Sequence, residues 1–155
     1  MKSLLNRLEV DYPNINFIEG DTFYWSPKDQ AVTYTEQSTQ PDISDWSLLH
    51  EVSHALLGHS QYKSDFELVQ LETEAWQCAR KLADKYGIKI SPDHIQDCLD
   101  TYRDWLHRRS TCPDCGIVSI QEDPSTYRCL NCKAAWQVSS SRFCRPYRRR
   151  GLKIK

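Results

Sequence analysis

Residues 45–60, "DWSLLHEVSHALLGHS", set His50, Glu51 and His54 in a run whose other members, Leu48, Leu49, Ala55, Leu56 and Leu57, read as an apolar helix. Side chains four residues apart on a helix share one face a turn apart, so His50 and His54 can aim both imidazoles at one ion. Glu51 then stands beside the ion, where a bound water would sit. This is the HExxH arrangement of zinc hydrolases, two ligands and a general base. A catalytic zinc takes a third protein ligand and keeps its fourth position for water. His59 does not complete the longer HExxHxxGxxH pattern, because the spacing here is HExxHxxxGH. It reads as a helix-end histidine facing the C-terminal dipole.

Helical phase points to the third ligand. Along residues 66–86, "FELVQLETEAWQCARKLADKY", Leu68, Glu72, Ala75, Ala79, Leu82 and Tyr86 recur near a 3.6 period and form an apolar face. Glu67, Gln70, Glu74, Gln77, Lys81 and Lys85 form the polar face. Glu72 is the carboxylate on the apolar face, where an unpaired charge is costly and a metal would neutralise it. Glu72 is therefore the expected third ligand, with Glu74 as the alternate.

Outward from this pair of helices the chain reads as α+β. "SLLNRLEV" is a short amphipathic helix closed by Pro13, and "INFIEG", "TFYWS" and "AVTYTEQ" are short strands of a small antiparallel sheet. The "AVTYTEQ" strand could be an edge that pairs with an extended peptide. Asp42 or Ser44 could cap the HExxH helix, and Gly58 marks its end. The next helix runs from about Asp65 to Tyr86 before Gly87. Another runs from Ser91, with Pro92 at the first helical position, to about His107. Tyr34, His59 and Tyr62 are candidates to stabilise an oxyanion. Trp25, Trp46, Trp76 and Trp105 read as core or rim aromatics, and Cys78 and Cys98 as small buried hydrophobes.

HEVSHALLGH after a short strand, followed by a helix carrying ETEAW and ARKLA, resembles the minimal metallopeptidases of the ImmA/IrrE group across roughly residues 15–86. That group carries an E-x-[EQ]-A-[ND]-x-F-A helix after the HExxH helix. Trp76 stands here where Asn or Asp is usual, and Cys78 where Phe is usual. The first glutamate of the motif falls on Glu72. The resemblance implies a zinc metalloendopeptidase of the kind that often acts on DNA-bound regulators. Glu51 would activate a zinc-bound water held by His50, His54 and Glu72.

From Thr111 the texture changes, and a boundary is expected near Ser110. Cys112-x2-Cys115 and Cys129-x2-Cys132 each make a tight turn presenting two thiolates, and two such turns complete a four-cysteine zinc site. Four thiolates leave no open position, so this second zinc is structural. "GIVSI" and "TYRCL" read as the paired strands of a zinc ribbon over 111–138. The tail, 139–155, holds Arg142, Arg145, Arg148, Arg149, Arg150, Lys153 and Lys155 with no acid. Arginines interleaved with Phe143 and Tyr147 suit phosphate contacts and base stacking. Cys144 reads as a spare thiol, with a substitute ligand as the alternative, since four ribbon cysteines are already present.

Composition is that of a globular protein, with 39% hydrophobic and 26% charged residues. The net charge of −1 hides a division: residues 1–110 carry 11 basic and 18 acidic side chains, and residues 111–155 carry 9 and 3. The acidic body and basic end are expected to meet different partners, a protein or peptide substrate and nucleic acid. No apolar run long enough for a membrane span occurs, and Arg7, Glu9 and Asp11 interrupt what a signal peptide would need. A cytoplasmic location follows as the expectation. Seven cysteines, an odd count with two CxxC pairs, favour metal ligation over disulfides. The alternative to an enzyme is a zinc-binding protein that uses the ribbon and tail to bind nucleic acid or protein.

Overall fold

Leu4, Leu5 and Leu8 recur at helical spacing and are buried on one side of α1, Lys2–Asp11. Tyr12 leaves the helix because Pro13 disfavours the α conformation in the residue before it. The structure is a computed structural model that describes residues 1–37 and 40–139 and the backbone of 148–150. In chain order the other elements are β1 (Asn16–Glu19), β2 (Tyr24–Ser26), β3 (Ala31–Tyr34), α2 (Pro41–Leu56), α3 (Asp65–Tyr86) and α4 (Pro92–Ser110). They are followed by β4 (Ile120–Asp123), β5 (Thr126–Arg128), β6 (Ala135–Val138) and β7 (Arg148–Arg150). The class is α+β, and no described helix is long and apolar enough to cross a membrane.

The first sheet has the order β1-β3-β2, with β1 parallel and β2 antiparallel to β3. It is mixed where the sequence suggests an antiparallel sheet. Strands of three or four residues are too short for their side-chain alternation to encode orientation. β3 is central, with Ala31 and Val32 buried, so it does not offer a peptide the edge that its sequence suggests. The edges belong to β1 and β2. Helix α2 packs on β2 and β3.

Helix α2 also starts differently from the sequence reading. Pro41 takes the first turn, Gln40 is the N-cap but makes no side-chain capping bond, and neither Asp42 nor Ser44 caps. Asp42 lies in the first turn, where its charge suits the helix dipole. Helix α3 has the bounds the apolar periodicity predicts. Leu68, Glu72, Ala75, Ala79, Leu82 and Tyr86 are buried, while Gln70, Glu74, Gln77, Lys81 and Lys85 lie toward solvent. Cys78 and Cys98 are half-buried rather than buried.

The chain divides into two compact units, one of Met1–Gln61 with Leu71–Ile95 and the other of Tyr62–Gln70 with Gln96–Lys155. The change of composition near Ser110 and this division are different boundaries. Within the second unit a buried ionic network explains why helical turns group with the cysteine-rich segment. Arg109 Nε donates to Asp65 Oδ2 at 2.6 Å, and Tyr127 donates its hydroxyl to the same oxygen at 2.6 Å. Arg109 also donates to the carbonyls of Ser139 and Pro124, and its own carbonyl accepts from the Trp136 indole. The Asp65 backbone N–H donates to Gln121. The side chains of Asp65, Arg109 and Tyr127 are all buried.

The second sheet runs β4-β5-β6-β7, antiparallel throughout. Its core is Tyr127 stacked on Trp136, with Val138, Cys112 and Cys129. The strand expected over "GIVSI" begins only at Ile120; Val118 makes an isolated bridge to Thr111.

Removing one member of a buried ion pair leaves the other charge uncompensated, so Arg109→Met is expected to cost about 3–5 kcal/mol of stability. Adding Asp65→Leu in the same chain should recover part of it. Urea denaturation followed by tryptophan fluorescence measures both. A loss of less than about 1 kcal/mol for the single variant would mean that the pair behaves as a solvated one.

Candidate metal centres

Among the described residues, two groups of side chains converge closely enough to hold a metal ion: His50 with His54 and Glu72, and the four cysteines 112, 115, 129 and 132. In each group the ligand atoms all lie within 4.8 Å of one another. The first is built by α2 and α3. His50 and His54 stand one turn apart on α2, and their Nε2 atoms are 3.1 Å apart. Glu72 on α3 brings Oε2 to 3.2 Å from His50 Nε2 and 3.8 Å from His54 Nε2. Nitrogen and oxygen ligands about 2.0–2.1 Å from a tetrahedral ion lie about 3.3–3.4 Å from each other, and the three observed separations bracket that spacing. The donor set of two imidazoles and a carboxylate fits a divalent ion.

Glu72 is 7% exposed. Burial raises its carboxyl pKa, but hydrogen bonds and charge interactions with His50 and His54 outweigh that and hold it well below the usual carboxylate range. Glu74, the alternate, lies outside the cluster on the solvent side of α3; its Oε2 is 3.5 Å from His59 Nε2.

Glu51 is half-buried, and its Oε2 accepts the backbone N–H of Trp25 on β2 at 2.9 Å. That contact leaves the carboxylate tethered by one oxygen at the edge strand. Trp76 stacks on the His50 ring, with centroids 4.2 Å apart and planes inclined by 29°. His50 Nδ1 is buried and meets no hydrogen-bonding partner among the described residues.

His59 is the largest departure from the sequence reading. It is not a helix-end histidine facing only the dipole; it is 8% exposed, with Nδ1 2.9 Å from His54 Nδ1. Burial, then the neighbouring His54, holds its pKa below the ordinary imidazole value, against the opposing pull of Glu74. The local cause is a Schellman closure. Gly58 adopts φ +66°, its N–H donates to Ala55 O, and the His59 N–H reaches back to His54 O at 3.0 Å. This closure typically sets the side chain after the glycine against the one five residues earlier, here His59 against His54. The "HALLGH" spacing is the signal of it in the sequence. The Trp25 indole donates to the His59 carbonyl at 2.9 Å. Trp25 and Trp76, plain core aromatics by their sequence context, thus touch the site's residues. Of the other oxyanion candidates, Tyr34 is half-buried on β3, and Tyr62 is exposed and belongs to the second unit.

The cysteine centre is built by two turns of the same design. Gly116 and Lys133, each following the second cysteine of its pair, adopt positive φ. In each turn the backbone closes back on the first cysteine: Gly116 N–H on Cys112 O, and Lys133 N–H on Cys129 O. Sulfur atoms of Cys112 and Cys132, and of Cys115 and Cys129, are 3.5 Å apart. Four sulfurs about 2.3 Å from a tetrahedral ion would be separated by about 3.8 Å, so the set fits one.

The backbone N–H of Ile117 lowers the Cys115 pKa, and that of Cys132 lowers Cys129 to about 6. The N–H of Ala134 favours the Cys132 thiolate, yet burial and the neighbouring sulfurs push that thiol up to about 12. Without a cation the four sulfurs cannot all be thiolates. Among the candidate nucleic-acid residues, Arg142 and Arg145 lie outside the described residues. The backbone of Arg148, Arg149 and Arg150 forms β7, paired with β6.

Compared with protein-family models, with curated proteins and with solved structures, the chain finds no match in any of the three.

Because the Cys132 thiol keeps its proton near neutral pH, metal uptake by the cysteine centre is expected to release protons. Only the thiolates bind, so affinity should fall as the pH drops toward the Cys129 value of about 6. Titration with Zn2+ in weakly buffered solution containing a pH indicator measures the release. Uptake without proton release would contradict four-thiolate ligation.

Proposed function

We propose that the protein is a zinc metalloendopeptidase similar to the ImmA/IrrE group, with a zinc ribbon at its C-terminal end. The observation that carries this reading is the meeting of His50, His54 and Glu72 around one point, with Glu51 adjacent on α2 and tethered by the Trp25 N–H. His50, His54 and Glu72 would hold the catalytic zinc, and the four ribbon cysteines a structural one. When bound there, a zinc ion would supply Lewis acidity, enough to make a water acidic near neutral pH and to polarise a peptide carbonyl. Glu51 would act as the general base and then return the proton to the leaving amine. Glu72 would offset the ion's charge from a buried position, and the Trp76 ring stacks on one face of His50.

The substrate is a protein or peptide, of which a DNA-associated regulator is the specific instance the resemblance suggests. The basic tail would hold the enzyme near such a target. Support comes from β7, which sets Arg148, Arg149 and Arg150 on the outer strand of the ribbon sheet.

The Trp25 contact of Glu51 also suits a purely structural role, in which the histidine zinc braces the fold and the ribbon does the binding. Glu51→Gln separates the two. In the enzyme, cleavage of the partner should fall by about 100- to 10,000-fold, with zinc content unchanged. Elemental analysis should give two zinc ions per chain for the wild type and one for His50→Ala. If neither the wild type nor Glu51→Gln cleaves the partner and the variant differs in no measurable property, the binding protein is favoured.

The nucleic-acid role is tested by salt dependence. Changing Arg148, Arg149 and Arg150 together to Gln preserves the backbone pairing of β7. It should flatten the slope of log K against log salt by about 0.9 for each phosphate that these arginines neutralise. An unchanged slope would set the nucleic-acid role aside.

A further inference from the structure

We propose that His59 and Glu74 are positioning residues for the histidine centre, together setting the tautomer of His54 and aiming its Nε2 at the ion. The proposal rests on the reading that His50, His54 and Glu72 hold a metal. A ligating Nε2 must present its lone pair, so the His54 proton resides on Nδ1. That N–H faces His59 Nδ1 at 2.9 Å, and His59 can accept it only with its own proton on Nε2. His59 Nε2 in turn lies 3.5 Å from Glu74 Oε2, an acceptor. Each proton has one place, and each step of the chain Glu74, His59, His54 enforces the next.

The backbone holds these three side chains in register. The Schellman closure at Gly58 brings His59 back over His54, and the Trp25 indole fixes the His59 carbonyl. Trp25 also donates its backbone N–H to Glu51, so one residue braces both the orienting histidine and the general base. The two zinc-facing imidazoles are treated differently. His50 is covered by Trp76 and its Nδ1 meets no partner among the described residues, whereas His54 is oriented by hydrogen bonding. Metal-bound histidines commonly donate their second N–H directly to a carboxylate or carbonyl. Here an imidazole is interposed between the ligand and the carboxylate.

The test is titration of Co2+ into the full-length chain after its cysteine site has been filled with Zn2+, so that visible d–d bands report the histidine centre. His59→Phe keeps a ring of similar size and removes both nitrogens; it should weaken Co2+ binding by about 10- to 100-fold and alter the bands. His59→Asn returns an acceptor to His54 and should restore much of the affinity. Glu74→Ala, on the solvent side of α3 where packing does not depend on it, should give a smaller loss in the same direction. Wild-type affinity and bands in both His59→Phe and Glu74→Ala would overturn the proposal while leaving the metal centre standing. Absence of Co2+ bands in the wild type would remove the centre itself, and the proposal with it.

Discussion

A buried carboxylate must find a counter-charge or a metal, and each compact unit of this protein is organised around one. Glu72 in the first unit faces two imidazoles, and Asp65 in the second faces a guanidinium and a phenol. Both stand on α3, two turns apart. The cost of leaving either carboxylate unmatched is large in a low-dielectric interior. The two are satisfied by different chemistry. Asp65 is paired within the protein by fixed donors and needs nothing further. Glu72 meets imidazoles whose nitrogens also have lone pairs to place, and a cation between them would satisfy all three groups at once.

The same contrast separates the two candidate metal centres. The cysteine centre is assembled from two backbone turns that differ mainly in having Gly116 in one and Lys133 in the other at the positive-φ position. Its candidate ligands come in local pairs, and all four are cysteine sulfurs. The histidine centre joins a local pair on α2 to a carboxylate on a different helix. On a tetrahedral ion its three donors would leave one position unfilled. Closed coordination suits structural support, and an open position suits chemistry.

Much of this is legible in the chain itself. The bounds of α3 follow from apolar periodicity and Gly87, and the same periodicity places Glu72 on the inner face and Glu74 on the outer. The two CxxC turns are legible because each is closed by bonds between residues a few positions apart. The sheet is less so. Three strands of three or four residues carry the composition of strands, but β3 is central through pairing with β1, a partnership their sequence order does not announce. The start of α2 differs from the capping pattern because Pro41 begins the helix without a side-chain cap.

By itself the sequence determined the elements and the candidate ligand pairs that depend on neighbours along the chain: His50 with His54, the paired cysteines, and the faces of α3. Helical phase and turn geometry act over four or five residues, and a single chain displays them directly. Tertiary structure decided the rest. Trp25 reaches Glu51 across 26 positions, Arg109 reaches Asp65 across 44, and Trp76 lies over His50. Those contacts depend on how distant segments pack, and the free energy that selects them is shared among many buried groups and written in no local pattern.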